Sequence, residues 1–271
     1  MDYEPAIRLV VFILVFSVMA SWELWAPRRA LTISKKLRWF NNLSIIFFNI
    51  VLVRLVLPVL ALDMAIQARQ HEWGLLNNAD LPHWLDIVIT IIVLDITLYL
   101  QHVIFHAVPI LWRLHMVHHA DLDFDFTTGL RFHPIEIILS AVLKVAVVLI
   151  IGAPAVAVLI FELLLNSLAM FNHGNVRIPL RIDRLLRFWV VTPDMHRVHH
   201  SVIIRETNSN FGFNLSLWDR LCGTYRDQPV KGHNGMVIGL SQFRSAQKLN
   251  LSRLLILPFS GDPGKYPINR H

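Results

Sequence analysis

Leu94-Asp95-Ile96-Thr97-Leu98-Tyr99-Leu100-Gln101-His102-Val103-Ile104-Phe105-His106 closes an apolar run that begins near Trp84. As a helix rising about 1.5 Å per residue, the run is long enough to cross a hydrocarbon core of about 30 Å. It ends on two histidines four positions apart, and residues four apart share a helix face. His102 and His106 can therefore aim both imidazoles at one point near the end of a membrane span.

The rest of the chain repeats the apolar half of that pattern. Runs of crossing length extend from about Ala6 to Trp25 and from Leu43 to Ile66. A longer run, Ile135 to Phe171, has about twice the crossing length and is interrupted by Gly152, Ala153 and Pro154, which predicts a helical hairpin. The expected fold is an all-α integral membrane helix bundle, three spans plus that hairpin. Hydropathy falls from Asn175 onward, where a helical cap is expected. With 55% hydrophobic and 16% charged residues and a mean hydropathy of +0.51, a soluble domain is excluded. The first run is too long for a signal-peptide core and follows an acidic Met1 to Pro5, so it is expected to be a retained span. The expected organisation is N-terminal helices and an outside loop in residues 1–83, a catalytic region in 84–226 and a tail in 227–271.

The net charge is +6 and the pI about 9.8, but the basic residues flank the apolar runs. They read as topology signals and contacts for anionic lipid, and no nucleic-acid partner is expected. Arg28, Arg29, Lys35, Lys36 and Arg38 follow the first span and predict a cytoplasmic loop, with the N-terminus outside. The next loop, Gln67 to His83, has one Arg69 against Glu72 and Asp80, which predicts an outside position for His71 and His83. Arg113 and Arg131, then Arg177, Arg181, Arg184, Arg187, Arg197 and Arg205, are inside again. Charge and span parity alone thus bring the histidines of distant segments to the cytoplasmic face, where the C-terminus also lies.

Those histidines recur in a fixed spacing. His115-Met116-Val117-His118-His119 and His196-Arg197-Val198-His199-His200 are two copies of H-x-x-H-H, added to the H-x-x-x-H of His102 and His106. Neutral imidazoles suit iron, zinc or copper rather than calcium or magnesium. Eight such nitrogens exceed what one ion accepts, so a dimetal site is expected. His173, in Phe171-Asn172-His173-Gly174-Asn175, and His133, in Arg131-Phe132-His133-Pro134-Ile135-Glu136, are further candidate ligands. A lone membrane histidine is as readily a snorkelling or hydrogen-bonded residue, but the repeated boxes are not. Asp95 is placed to orient a ligand imidazole or to pair with Arg54, and Glu162 poses the same question. Alanine at His71, His83 or His233 is expected to leave metal binding intact. The single Cys222 permits no intramolecular disulfide and no thiolate cluster.

Three other readings compete. A haem protein of the cytochrome b type needs axial pairs at different depths, not tight boxes on one face. A zinc-dependent membrane hydrolase usually has about three protein ligands and often H-E-x-x-H, a motif missing here. A metal-binding transporter would place its ligands near mid-membrane along a pathway.

In their order and on this hydropathy profile, the boxes resemble the fatty acid hydroxylase and sterol desaturase superfamily of membrane di-iron enzymes, from about Leu85 to Tyr225. The stretch Thr192 to His200, followed by Asn210-Phe211-Gly212 and by Trp218-Asp219-Arg220-Leu221-Cys222-Gly223-Thr224, is similar in wording to the alkylglycerol monooxygenase branch. The resemblance implies that His102, His106, His115, His118, His119, His196, His199 and His200 are ligands, with His173 and His133 aligned to further positions. It implies two iron ions, with zinc able to substitute, and O2-dependent hydroxylation, desaturation or ether cleavage of a lipid entering from the bilayer. No His-Pro-Gly-Gly cytochrome b5 signature is present, so electrons are expected from a separate redox partner or diffusible reductant.

Overall fold

Residues 3–269 are described by a computed structural model. The first seven helices are α1 (Glu4–Trp25), α2 (Lys35–Val56), α3 (Ala61–Gln70), α4 (His83–Ala107), α5 (Pro109–His119), α6 (Pro134–Ile151) and α7 (Ala155–Asn172). Five helical segments are long and apolar enough to cross a bilayer: α1, α4, α6, α7 and the passage Lys35–Gln70. Among the described residues there is no strand, and the only ladder-like pairs are isolated bridges such as Val190 with Leu215.

The second passage departs from the expected Leu43 to Ile66 span. It starts eight residues earlier and is broken between Val56 and Ala61 into α2 and α3. Pro58 in the break has no backbone N–H to donate, and its ring clashes with the preceding turn. Asp63 then caps the restart by accepting from the Leu60 N–H at 3.2 Å.

The hairpin forms where the sequence placed it. Gly152 ends α6 in the left-handed region (φ 67°), donating its N–H to Val148 and Leu149 carbonyls. Gly74 also has positive φ, and a Cβ there would lie 2.1 Å from the Gly152 nitrogen. Two bare backbones therefore meet, sealed by Leu75 N–H donating to Ile150 O at 3.1 Å. This contact puts the loop after α3 and the hairpin tip at one end of the bundle, the end away from the histidine boxes.

Two charged groups of the bundle, Glu162 and Arg38, are compensated. Glu162 of α7 accepts from Arg8 of α1 at 2.7 Å and from Lys144 of α6 at 2.9 Å. Arg38, in the first turn of α2, is buried between Asp121 and Asp125. It therefore ties α2 to the loop after α5.

Beyond α7 lie α8 (Leu180–Leu186), α9 (Pro193–His199), α10 (Ile204–Thr207), α11 (Leu217–Leu221), α12 (Gly232–Gly235) and α13 (Leu251–Ser260). Residues 227–269 are packed on the rest. Leu254, Leu257 and Tyr266 are buried with Trp112 and Met116, and the Trp112 indole N–H donates to Pro263 O at 2.9 Å.

Candidate metal centre

Nine buried imidazoles converge at the end of the bundle opposite the Gly74 and Gly152 contact. They form two groups, in each of which the available ring nitrogens lie within 4.8 Å of one another. One group is His102, His106, His115, His119 and His199; the other is His118, His173, His196 and His200. The groups adjoin, with the His119 and His200 rings stacked at 4.6 Å.

Helix geometry explains the repeated box. In α5, His115 and His119 are four apart and enter one group, while His118 turns to the other. In α9 and its C-cap, His196 and His200 are the four-apart pair and His199 crosses over. Each box thus sends its outer pair to one point and its middle histidine to the neighbouring point. Pro193 at the first position and Thr192 at the N-cap, accepting from Met195 N–H, start α9 in the right register.

Four of the outward nitrogens are fixed by backbone carbonyls, which cannot themselves donate. Nδ1 of His102 donates to Phe211 O (2.7 Å), that of His118 to Arg131 O (3.1 Å), that of His173 to Ala169 O (2.7 Å) and that of His199 to Ser209 O (2.7 Å). His115 Nδ1 lies 2.6 Å from Glu136 Oε1, and His106 Nδ1 lies 3.0 Å from Asn208 Oδ1. A neutral imidazole has one N–H, so each of the four carbonyl-bound rings turns a bare Nε2 lone pair inward.

Those lone pairs face one another. His102 and His115 Nε2 are 3.0 Å apart, His118 and His173 Nε2 are 3.1 Å apart, and His196 Nε2 is 3.1 Å from His173 Nε2. In the His118 and His173 pair both Nδ1 positions are already protonated, so no hydrogen is left to bridge the two Nε2 atoms, and lone pair against lone pair is repulsive unless a cation lies between. Nitrogens bound at about 2.1 Å to one ion are about 3 Å apart in adjacent positions, so the residues fit a transition metal in each group. His119 and His200 make the same point differently, since neither nitrogen of either buried ring has a hydrogen-bond partner.

Burial keeps the imidazoles outside the spans neutral, as ligands must be. It pulls His115 and His173 down to about 3, and burial with neighbouring imidazoles pulls His118, His119, His196, His199 and His200 well below the usual histidine value. An unfolded chain takes up protons on these rings below about pH 6.5, whereas the folded metal-free chain resists until about pH 3 at His115 and His173. Stability is therefore full above about pH 6.5 and is lost as the pH falls through that window. Metal-free protein is expected to melt at a clearly lower temperature at about pH 5 than at about pH 7.5, a shift that thermal scans in detergent measure.

His133 is not brought into either group. As the residue before Pro134 it is the N-cap of α6, its Nδ1 accepting from Ile135 N–H at 3.2 Å, with Nε2 3.2 Å from Leu255 O. Asp95 neither orients an imidazole nor pairs with Arg54, because its Oδ2 accepts from the Trp218 indole at 2.7 Å. His71 stacks on Trp73 and is exposed, as is His83, at the far end of the bundle. His233 differs from them, being buried 3.6 Å from Asp194, which in turn holds Arg197 of α9.

Glu136 and Asp219 carry roles that spacing alone did not reveal. Asp219 accepts from Phe211 N–H (2.7 Å), Gly212 N–H (2.9 Å) and the Thr224 hydroxyl (2.7 Å), which fixes the loop whose Phe211 carbonyl orients His102. Asp219→Ala leaves those donors buried and unpaired, an expected loss on the order of 3 kcal/mol, readable as a lowered melting temperature with reduced metal content.

Known proteins similar to this chain include three lipid hydroxylases or monooxygenases. An ornithine lipid hydroxylase of Rhizobium tropici is 32% identical over 149 residues, 55% of this chain and 44% of that protein. An alkylglycerol monooxygenase of Xenopus tropicalis is 28% identical over 165 residues (59% and 34%), and a cholesterol 25-hydroxylase of Rattus norvegicus 26% over 146 (53% and 47%). The matched stretch spans less than half the length of each relative. No solved structure matches the chain. The family model for fatty acid hydroxylases matches residues 87–224, the stretch that contains all nine converging imidazoles and Asp219, and on that match the chain belongs to the fatty acid hydroxylase family.

Proposed function

We propose that this chain is a membrane-bound non-haem di-iron oxidoreductase that uses O2 to hydroxylate a lipid. The observation that carries the reading is the facing Nε2 contact at 3.1 Å between His118 and His173, rings whose other nitrogen is already committed to a backbone carbonyl. His102, His106, His115, His119 and His199 would hold one ion, and His118, His173, His196 and His200 the other. Bound there, iron supplies O2 activation and removal of hydrogen from an unactivated carbon, chemistry that no side chain provides.

The chain's own residues do the rest. Backbone carbonyls and Glu136 lock the tautomers, and Phe211 and Phe132 pack against the imidazoles and keep bulk water away. The proposed balance is R–H + O2 + two electrons + two protons giving R–OH + H2O. The electrons come from a separate reductase, carrier or diffusible reductant. A zinc hydrolase needs an open position beside about three ligands, which groups of five and four imidazoles match less well.

The names of the relatives specify an ornithine lipid, an alkylglycerol and cholesterol. Hydroxylation or monooxygenation of a lipid is what they share, and a lipid entering from the bilayer is the substrate class proposed. The Arg and Lys distribution supports an outside N-terminus with the metal centre and C-terminus cytoplasmic.

The test is anaerobic purification and loading with ferrous iron, then O2 and reductant with total membrane lipid extract, read by mass spectrometry. One added oxygen is the expected product, loss of two hydrogens would convert the reading to desaturation, and protein that retains no iron and yields no product would end it.

A further inference from the structure

The α8 and α11 helices present an apolar and cationic surface that the metal chemistry does not use. Leu180, Ile182, Leu185, Phe188 and Trp189 are exposed within ten residues, Trp189 at 70%, and Leu221 of α11 is 69% exposed beside them. Asp183 and Arg187 form a buried ion pair that fixes the opposite face of α8. The two helices form one surface, since the Arg220 guanidinium sits 5.1 Å over the Phe188 ring and donates to Arg187 O.

Charge on this surface is mostly of one sign, the exposed Asp227 being paired with Arg187 at 2.9 Å. Arg177, Arg181, Arg184 and Arg220 are exposed, while every acid between Arg177 and Tyr225 (Asp183, Asp194, Glu206, Asp219) is buried. Depth comes from Trp218, whose indole donates to Asp95 at 2.7 Å, and from Tyr99, whose hydroxyl lies 2.9 Å from Thr224 Oγ1. Asp95 lies midway along α4 and seven positions before His102, about 10 Å along a helix. The Trp218 indole and the Thr224 hydroxyl thus touch α4 on the bilayer side of His102, which ties the α11 segment to the membrane-spanning part of α4.

We propose that α8 and α11 lie in the plane of the leaflet, with their apolar side chains among the acyl chains and Arg177, Arg181, Arg184 and Arg220 bound to the phosphates of anionic lipid headgroups. Exposed aromatic and aliphatic groups interleaved with arginine are what such an interfacial element requires, and so large an apolar patch is otherwise a liability. The inference rests on the membrane crossing of α4 and not on the identity of the metal or the reaction.

Cys222, the single cysteine, is exposed directly after Leu221 and takes a nitroxide label without further substitution. The full chain is placed in bilayer discs of phosphatidylcholine, with and without phosphatidylglycerol. The label is expected to collide more with O2 than with a water-soluble nickel chelate. Native mass spectrometry of the mixed discs is expected to show about a ten-fold enrichment of phosphatidylglycerol over phosphatidylcholine among retained lipids. In the Arg177→Gln, Arg181→Gln, Arg184→Gln variant that enrichment falls below about two-fold, with metal content unchanged as the check on folding. A label that meets the nickel chelate freely, or an enrichment that survives in the variant, would overturn the proposal whatever the enzyme assays show.

Discussion

Alanine at His119 or His200 is expected to remove at least one metal ion per chain and to lower turnover by more than about a hundredfold, the upper range for losing only an outer partner of a ligand. These two rings are the cleanest test among the nine because neither nitrogen of either ring meets any protein hydrogen-bond partner, although both residues are fully buried. Burying such a ring without partners costs about 1–3 kcal/mol per polar group, a cost that metal coordination offsets and packing alone does not. The two positions also belong to different groups, so the losses are expected to fall on different ions. His133→Ala is the matched control. It removes a histidine from the same region, but one whose ring caps α6, so it should cost about 1 kcal/mol of stability and leave the metal in place. Metal analysis of detergent-purified protein separates the cases. A full complement of two ions in His119→Ala and His200→Ala would show that the rings are not ligands.

The convergence of eight of the nine imidazoles was readable because each of the eight sits in a short spacing at or beside a helix, and helix geometry converts spacing into direction. His173 needed its flanking Phe171-Asn172 and Gly174-Asn175. His133 looked similar on paper, yet Pro134 starts a helix behind it, and a residue in that position turns its side chain to the first free N–H groups rather than to a distant ion. The acceptors that set the tautomers stayed hidden because Phe211, Ser209, Ala169 and Arg131 act through backbone carbonyls, which any residue type supplies. Asp95 was visible as an unusual charge in a span, but its partner Trp218 lies more than a hundred residues away on a helix of five residues, with no periodicity to announce it. The break at Pro58 could have been found, since proline inside an apolar run is a known stop; hydropathy averaged over the run concealed it.

Glu136 separates the two groups electronically, and its substitution has the second largest expected effect. Where four of the imidazoles lean on neutral carbonyls, His115 leans on a carboxylate at 2.6 Å, in the first turn of α6 and almost completely buried. A carboxylate acceptor makes the N–H bond charge-assisted and the opposite nitrogen a stronger donor. Glu136→Ala leaves the His115 N–H without an acceptor and frees the ring to turn, so retention of the ion held by the five-imidazole group is expected to weaken about 10- to 100-fold, and activity with it. Glu136→Gln keeps an amide oxygen that can accept the same bond but removes the charge, so its loss should fall near the lower end of that range. Chelator competition followed by metal counting reads both. Stoichiometry in the alanine variant should fall from two toward one, because the group of His118, His173, His196 and His200 does not contact Glu136 through any hydrogen bond. Equal chelator resistance in parent, Gln and Ala proteins would mean that His115 is oriented by packing alone.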